Sequence, residues 1–234
     1  MNKYNTNDST SYSLGMSLTI EALKYKSQYI KKILLSNKAS KNKQLDYLIE
    51  LANKNNILIE IDDKTIDKLS NKENCYCIGI FDKYKSKLET NNHVLLYGFN
   101  DYGDLGTILR SCISFDFKDV VLINSDIDYF DPRCIRSSMG SIFLCNIESY
   151  KSLNDYFKKY NKQNIYPFVS NSDNELLDIN LKEPYSIIIS SNYYDLDNIY
   201  KDGYCIKHSN NDEISLSIKS SIILQHIYDL KRNL

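Results

Sequence analysis

The residues best suited to chemistry lie in two neighbouring stretches, DYGDLGTILRSC at 101–112 and DPRCIRSSMGSIF at 131–143. Together they hold Arg110, Arg133 and Arg136, three of the four arginines in a chain where 25 of 29 basic residues are lysine. An arginine kept against that background points to a need for its planar, permanently charged fork, which grips phosphate through paired donors. Gly103 and Gly106 read as a turn from a buried strand, HVLLYGF, into a helix. Free N–H groups at that helix start would suit a phosphate. Arg110, one turn further along on this reading, would aim near the same place. The plainer reading is an ordinary helix start with Asp104 near the cap. Neither G-x-G-x-x-G nor G-x-x-x-x-G-K-[ST] occurs, which speaks against dinucleotide and P-loop chemistry.

These residues need a sheet to hold them, and the pattern supplies one. Helices are expected at 17–26, over KNKQLDYLIELANKNN and from about 215 to the end, with an extended YIKKILLS. Short strands are expected at 57–61, 76–81, 93–99, 119–124, 142–147, 164–169, 185–190 and 203–207. Strand–turn–helix alternation argues for an α/β fold with a mostly parallel sheet. The polar segment DKYKSKLETNN at 82–92 reads as a boundary, giving a small basic α/β domain at 1–88 and a second domain at 89–234.

Charge supports that division. Residues 1–88 carry 15 lysines and 10 acids, whereas 89–234 carry 14 basic and 20 acidic residues. Residues 22–45 hold seven lysines and no acid, with Tyr25 and Tyr29 interleaved. Such a stripe suits a polyanion such as RNA, and Lys31, Lys32, Lys41 and Lys43 are the candidate contacts. The alternative is a solvated face. The six cysteines lack the spacing of a metal site and read as small buried hydrophobes of a reducing compartment. No signal peptide or membrane span is apparent, so the expected location is the cytoplasm.

The segment YGFNDYGDLGTILRSCISFDFKDVVLINSDIDYFDPRCIRSSMGSIFLCNI resembles the first signature of the SpoU/TrmH family of RNA 2′-O-methyltransferases, within the SPOUT superfamily. That signature reads N-x-G-[ST]-[IL]-x-R, then a strand, then D-x-x-x-P-x-x-x-R-x-S-x-G-[AS]. Gly106, Thr107, Ile108 and Arg110 match, as do Pro132, Arg136, Ser138, Gly140 and Ser141.

The resemblance implies a C-terminal α/β domain tied in a trefoil knot, preceded by a small α/β RNA-binding domain. It further implies a homodimer, S-adenosylmethionine as cofactor, and rRNA or tRNA as substrate. Arg110 takes the family's catalytic position, and Arg136 reads as an RNA or interface contact. Asp104 stands where the family has asparagine on the RNA side. The second motif, G-x-E-x-x-G, has become Ser190, Asn192 and Asp195, and the third, S-L-N, is Ser215, Leu216 and Ser217. Cofactor contacts therefore fall on Ser190, Asn192, Ile206, Ser215 and Leu216, largely through their backbones. Tyr193 or Tyr194 would cover the adenine. A lost glycine would cost roughly 1–2 kcal/mol wherever its φ is positive. Two readings follow: an active methyltransferase, or a non-catalytic RNA-binding relative that has lost the cofactor.

Overall fold

The computed structural model describes residues 3–70, 74–170, 172–191, 193–200, 202–207 and 214–232, with the backbone alone at 193–195. The chain begins with β1 (Thr10–Leu14), α1 (Met16–Lys26), β2 (Ile30–Leu35), α2 (Lys43–Lys54), β3 (Leu58–Ile61), α3 (Asp63–Leu69) and β4 (Cys77–Asp82). It continues through β5 (His93–Tyr97), α4 (Tyr102–Ser114), β6 (Asp119–Ile123), α5 (Pro132–Ser137), β7 (Asn146–Tyr150), α6 (Leu153–Lys159) and β8 (Asn164–Pro167). The last elements are β9 (Asn174–Glu175), β10 (Tyr185–Ser190), α7 (Tyr193–Ile199), β11 (Tyr204–Cys205) and α8 (Leu216–Arg232).

Internal contacts divide the chain into two units, Met1–Tyr84 with Asp128–Leu144, and Lys85–Ile127 with Cys145–Leu234. A single cut at 88/89 does not describe this division, because residues 128–144 pack within the first unit. The physical cause is aromatic. Phe81 on β4 meets Phe130 and Phe143 edge-on, at centroid distances of 5.8 and 5.5 Å. The buried Ser11 hydroxyl on β1 also donates to the Phe130 carbonyl.

The first unit is built on a four-stranded sheet ordered β1-β4-β2-β3, in which only the β2–β3 pair is parallel. β1 is largely polar in sequence yet buried at its centre, whereas β3 leaves Leu58 and Ile61 exposed at the sheet edge. Ile78 and Ile80 face Tyr12, Leu34, Ile66 and Leu69 in one apolar cluster. α2 forms as expected, with Leu45, Leu48 and Ala52 on its buried stripe and Asn42 capping the N–H groups of Gln44 and Leu45 at 3.0 Å. Gly140 follows α5 at φ 86, and a Cβ there would sit 2.9 Å from Glu21 Cβ, so only glycine fits.

The second unit is a five-stranded sheet ordered β7-β6-β5-β10-β8, parallel throughout. Val94, Leu95 and Leu96 of β5 and Ile187, Ile188 and Ile189 of β10 are fully buried. That is why these strands read as unbroken apolar runs rather than alternating ones. β7 lies later than the strand expected at 142–147. Ser141–Leu144 form a short 3-10 turn that delivers Phe143 to Phe81, and pairing with β6 begins at Asn146 opposite Asp119. No helix among the described residues is long and apolar enough to cross a membrane.

Candidate active site

In the parallel sheet, strand order reverses between β5 and β10. Outward from β5 the chain goes to β6 and β7, while β10 and β8 lie on the other side. Ligands of open parallel sheets sit outside the carboxyl ends of the strands at such a switch point. Here the two loops are laced together. Ser191 donates its N–H to the Tyr97 carbonyl at 3.0 Å and its hydroxyl to the Gly98 carbonyl. Gly98 has φ 70 and passes its own N–H to Ile123 O at 2.9 Å. A Cβ at Gly98 would lie 3.3 Å from Ser191 Oγ. The glycine that makes this turn is thus Gly98, whose signal was its place at the end of HVLLYG. Gly103 and Gly106 lie inside α4, as its second and fifth residues.

α4 starts at Tyr102, and its cap is Asp101, which accepts the Asp104 N–H at 2.8 Å. Asp104, half-buried in the first turn, sets a carboxylate against the positive end of the helix dipole. The phosphate site expected at this helix start is therefore not there: Asp101 takes a donor and Asp104 adds a second negative charge. Arg110 is the ninth helical residue, about 12 Å along the axis from the start, not one turn. Leu105, Ile108, Leu109 and Cys112 bury the opposite face, and Ser111 meets Ser221 of α8 at 2.8 Å between hydroxyls. Gly103, Thr107, Arg110 and Ser114 form the exposed stripe. Thr107 and Ser114 turn their hydroxyls back onto the Gly103 and Arg110 carbonyls, at 2.8 and 2.9 Å. Arg110 is thereby left as the one long side chain of that face. Its guanidinium has no partner among the described residues.

The candidate cofactor contacts all belong to the second unit. Ser190 ends β10, is fully buried, and rests its hydroxyl 3.4 Å from the Tyr97 carbonyl. Its backbone is strand, and Asp195 is helical within α7. Among the described residues the positive-φ non-glycine ones are Asn56, Asp116, Asn124 and Met139, so the strain expected from the two lost glycines does not arise at either position. Ile206 is half-buried just beyond β11. Phe168 N–H donates to Ile188 O and Val169 N–H to Tyr204 O, each at 2.9 Å, which ties β11 to β10 through the end of β8. Ser215, exposed, accepts the Lys219 N–H at 3.0 Å ahead of half-buried Leu216. Asn192 lies outside the described residues, as do the side chains of Tyr193 and Tyr194.

The candidate RNA residues of the first unit separate into two kinds. Lys31, the extra residue of a bulge in β2, pairs with Asp82 at 3.0 Å, and Lys32 pairs with Glu60 at 2.6 Å. Tyr29 is stacked on Tyr84 at 4.4 Å, leaving Tyr25 exposed. Lys41 and Lys43, beside the start of α2, are exposed with no partner among the described residues, and so is Arg136 in the last turn of α5. Arg133 instead clamps Asp131 through Nε and Nη2, at 2.9 and 2.8 Å. All six cysteines are buried free thiols. Burial pushes Cys77, Cys112 and Cys134 up to about 12, which rules them out as nucleophiles at neutral pH.

Residues 91–190 match the SpoU rRNA Methylase family, and residues 14–74 match the family described as RNA 2′-O ribose methyltransferase substrate binding. No curated protein matches the chain in sequence. Among solved structures it is similar to the SpoU methyltransferase AviRb from Streptomyces viridochromogenes in complex with AdoMet. That likeness has a TM-score of 0.78 at 14% identity, over 96% of this chain and 91% of the other. An AdoMet-bound rRNA methyltransferase from Sinorhizobium meliloti gives 0.75 at 19%, over 97% and 88%. A structure described as an RNA 2′-O ribose methyltransferase gives 0.75 at 18%, over 97% and 90%. With a substrate-binding module followed by a methylase module, each on its own stretch of the fold, the chain belongs to the SpoU/TrmH family of RNA methyltransferases.

Proposed function

We propose that the protein methylates a ribose 2′-hydroxyl in structured RNA, rRNA or tRNA, using S-adenosylmethionine. The observation that carries this reading is Arg110: a guanidinium with no partner among the described residues, on a helix whose other face is locked into the core. S-adenosylmethionine, when bound, supplies an electrophilic methyl group. The chain fits a ligand held by main-chain groups. Small neutral Ser190 ends β10 and Ser191 follows it, and neither altered glycine position needs a left-handed backbone. Ser190, Asn192, Ile206, Ser215 and Leu216 would hold the cofactor there.

A ribose hydroxyl is a weak nucleophile, and the protein's part is to make its oxygen attack. Arg110 has donors and no acceptor, so it is not the base. It grips the neighbouring phosphate and stabilises the oxygen as its proton passes to solvent water, an effect of about 3–4 kcal/mol when it matches an oxyanion-hole donor. Arg136, Lys41 and Lys43 add phosphate contacts, with Lys31 and Lys32 contributing less because their charges are already paired. Asp104 accepts only, and meets RNA through a hydroxyl or an amino group. The family resemblance further supports a trefoil knot in the second unit and a homodimer, for which the exposed Leu177 and Ile218 offer apolar surface.

Calorimetry with S-adenosylmethionine, paired with transfer of labelled methyl to rRNA and tRNA, tests the reading. Expected are binding in the micromolar to high-micromolar range, a melting temperature that climbs with cofactor concentration, and label on ribose. Absence of heat and thermal shift at millimolar cofactor, with RNA still bound, would establish a non-catalytic RNA-binding relative instead.

A further inference from the structure

The first unit contains a cleft of about 610 Å3 in which Arg110 has no part. It opens among the start of α1, the end of α3 and helix α5, all segments of that unit. In size it falls within the roughly 300–1,000 Å3 typical of ligand cavities. Its wall is aromatic and apolar: Tyr4 and Tyr12 pack edge to face with centroids 6.4 Å apart, beside Leu69. Its exposed charged residues, which make its lip, are Lys3, Arg133 and Arg136, and the buried Asp131 that also lines it is paired with Arg133.

The two arginines stand three residues apart on α5 and so share one side of that helix. Arg133 is steadied by its two bonds to Asp131 while 69% of its side chain stays exposed. Lys3 and Arg136 are exposed with no partner among the described residues. The wall is fixed in advance. The Tyr4 hydroxyl donates to Asp128, which also takes Lys83 at 2.7 Å, and the Lys83 ammonium lies 4.8 Å from the Tyr4 ring centre.

A flat aromatic body with a phosphate attached matches this combination: the base against the wall, the phosphate at the lip. We propose that the cleft receives one unpaired nucleotide of the substrate RNA, a recognition contact separate from the residue that is methylated. This rests on the RNA reading above. Paired bases are excluded because a concave seat reaches a base only when it is unstacked, as in a bulge or loop. The same chemistry exists in a free mononucleotide. The chain-borne form is favoured because Leu14, Gly15, Leu69 and Ser70 of the cleft belong to the stretch that matches the substrate-binding family.

The test uses a labelled hairpin RNA with one bulged uridine, its fully paired counterpart, and uridine monophosphate, read by fluorescence anisotropy and competition. Wild-type protein should bind the bulged hairpin about tenfold more tightly than the paired one. Lys3→Gln with Arg136→Gln, both exposed positions, should bring the two affinities close together without altering the melting temperature. A bulge carrying 4-thiouridine should crosslink to peptides spanning Tyr4 to Tyr12 or Tyr129 to Arg136. Equal binding of the two hairpins, a bulge preference that survives the double substitution, or crosslinks confined to other peptides would each overturn the proposal. Tight binding of uridine monophosphate without any hairpin preference would overturn it too, in favour of a small-molecule site. Methyl transfer measured in parallel keeps the readings apart: bulge preference without methylation sinks the enzyme, and methylation without bulge preference sinks the cleft.

Discussion

The Nδ1 of His93 lies 2.6 Å from the Tyr156 hydroxyl, sealed inside the second unit. The other ring nitrogen, Nε2, faces the Thr90 carbonyl at 3.0 Å and must donate to it. Nδ1 is then an acceptor, and the Tyr156 hydroxyl donates a hydrogen bond to it while lying 2.8 Å from the Ser186 hydroxyl. The neutral ring is the one the site is built for. Burial pushes His93 below its ordinary value, outweighing the Thr90 carbonyl and the Asp119 and Glu148 charges that pull it upward.

Because native His93 resists a proton that the unfolded chain accepts below about pH 6.5, acid favours unfolding at this site. Its contribution is complete above about pH 6.5 and is lost as pH falls below it, by at most about 1.4 kcal/mol per pH unit. Urea unfolding of wild type and His93→Gln between pH 7.5 and 5.5 should show their stability gap narrowing as pH falls. A gap that stays constant removes His93 as the source.

Asp119 is buried at the start of β6, where its carboxylate accepts from Thr90 N at 2.6 Å, Glu89 N at 3.1 Å and Asn146 Nδ2 at 2.9 Å. Asp119→Ala strands those donors and should cost about 3 kcal/mol in urea unfolding, with Asp119→Asn milder. A loss below about 0.5 kcal/mol would mean that water replaces the carboxylate.

Arg110→Lys keeps a cation on the exposed stripe of α4 and discards the fork. Methyl transfer should drop about a hundredfold or more, with the melting temperature unchanged, since the side chain supports no described contact. Full activity in the lysine variant would reduce Arg110 to a point charge.

The lysines should divide by their existing partners. Lys41→Gln with Lys43→Gln should flatten the salt dependence of RNA affinity by about two units of slope, one per phosphate contact. Lys31→Gln with Lys32→Gln should change it far less, because Asp82 and Glu60 already neutralise those charges. The reverse ranking would place RNA across the sheet rather than at the start of α2.

What the sequence showed and what it hid follow from burial. β10 occupies 185–190 as expected, because a strand covered on both faces is written as an unbroken apolar run. β1 is hidden in the sequence, since TSYSL buries Ser11 and Ser13, whose hydroxyls are met by Phe130 O and Thr19. Those partners are 119 and six residues away, beyond any local pattern. Near the site, the motif singles out Arg110, but its depth in the helix depends on where the helix starts. Asp101, not Asp104, sets that start, and the two aspartates look alike in a sequence. The glycine losses at 190 and 195 looked severe only because φ is invisible without coordinates.

The excursion of residues 128–144 imposes an order on biosynthesis. A nascent chain that ends at residue 88 has made every strand of the first sheet, yet it lacks the rings that close over Phe81 and the carbonyl that meets Ser11. N-terminal units usually fold first as they emerge. This one must wait while β5, α4 and β6 are translated, holding an open aromatic face that a chaperone can grip. The first unit is for the same reason not a detachable cassette: moving it to another protein would take two splices, one on each side of its late-arriving segment.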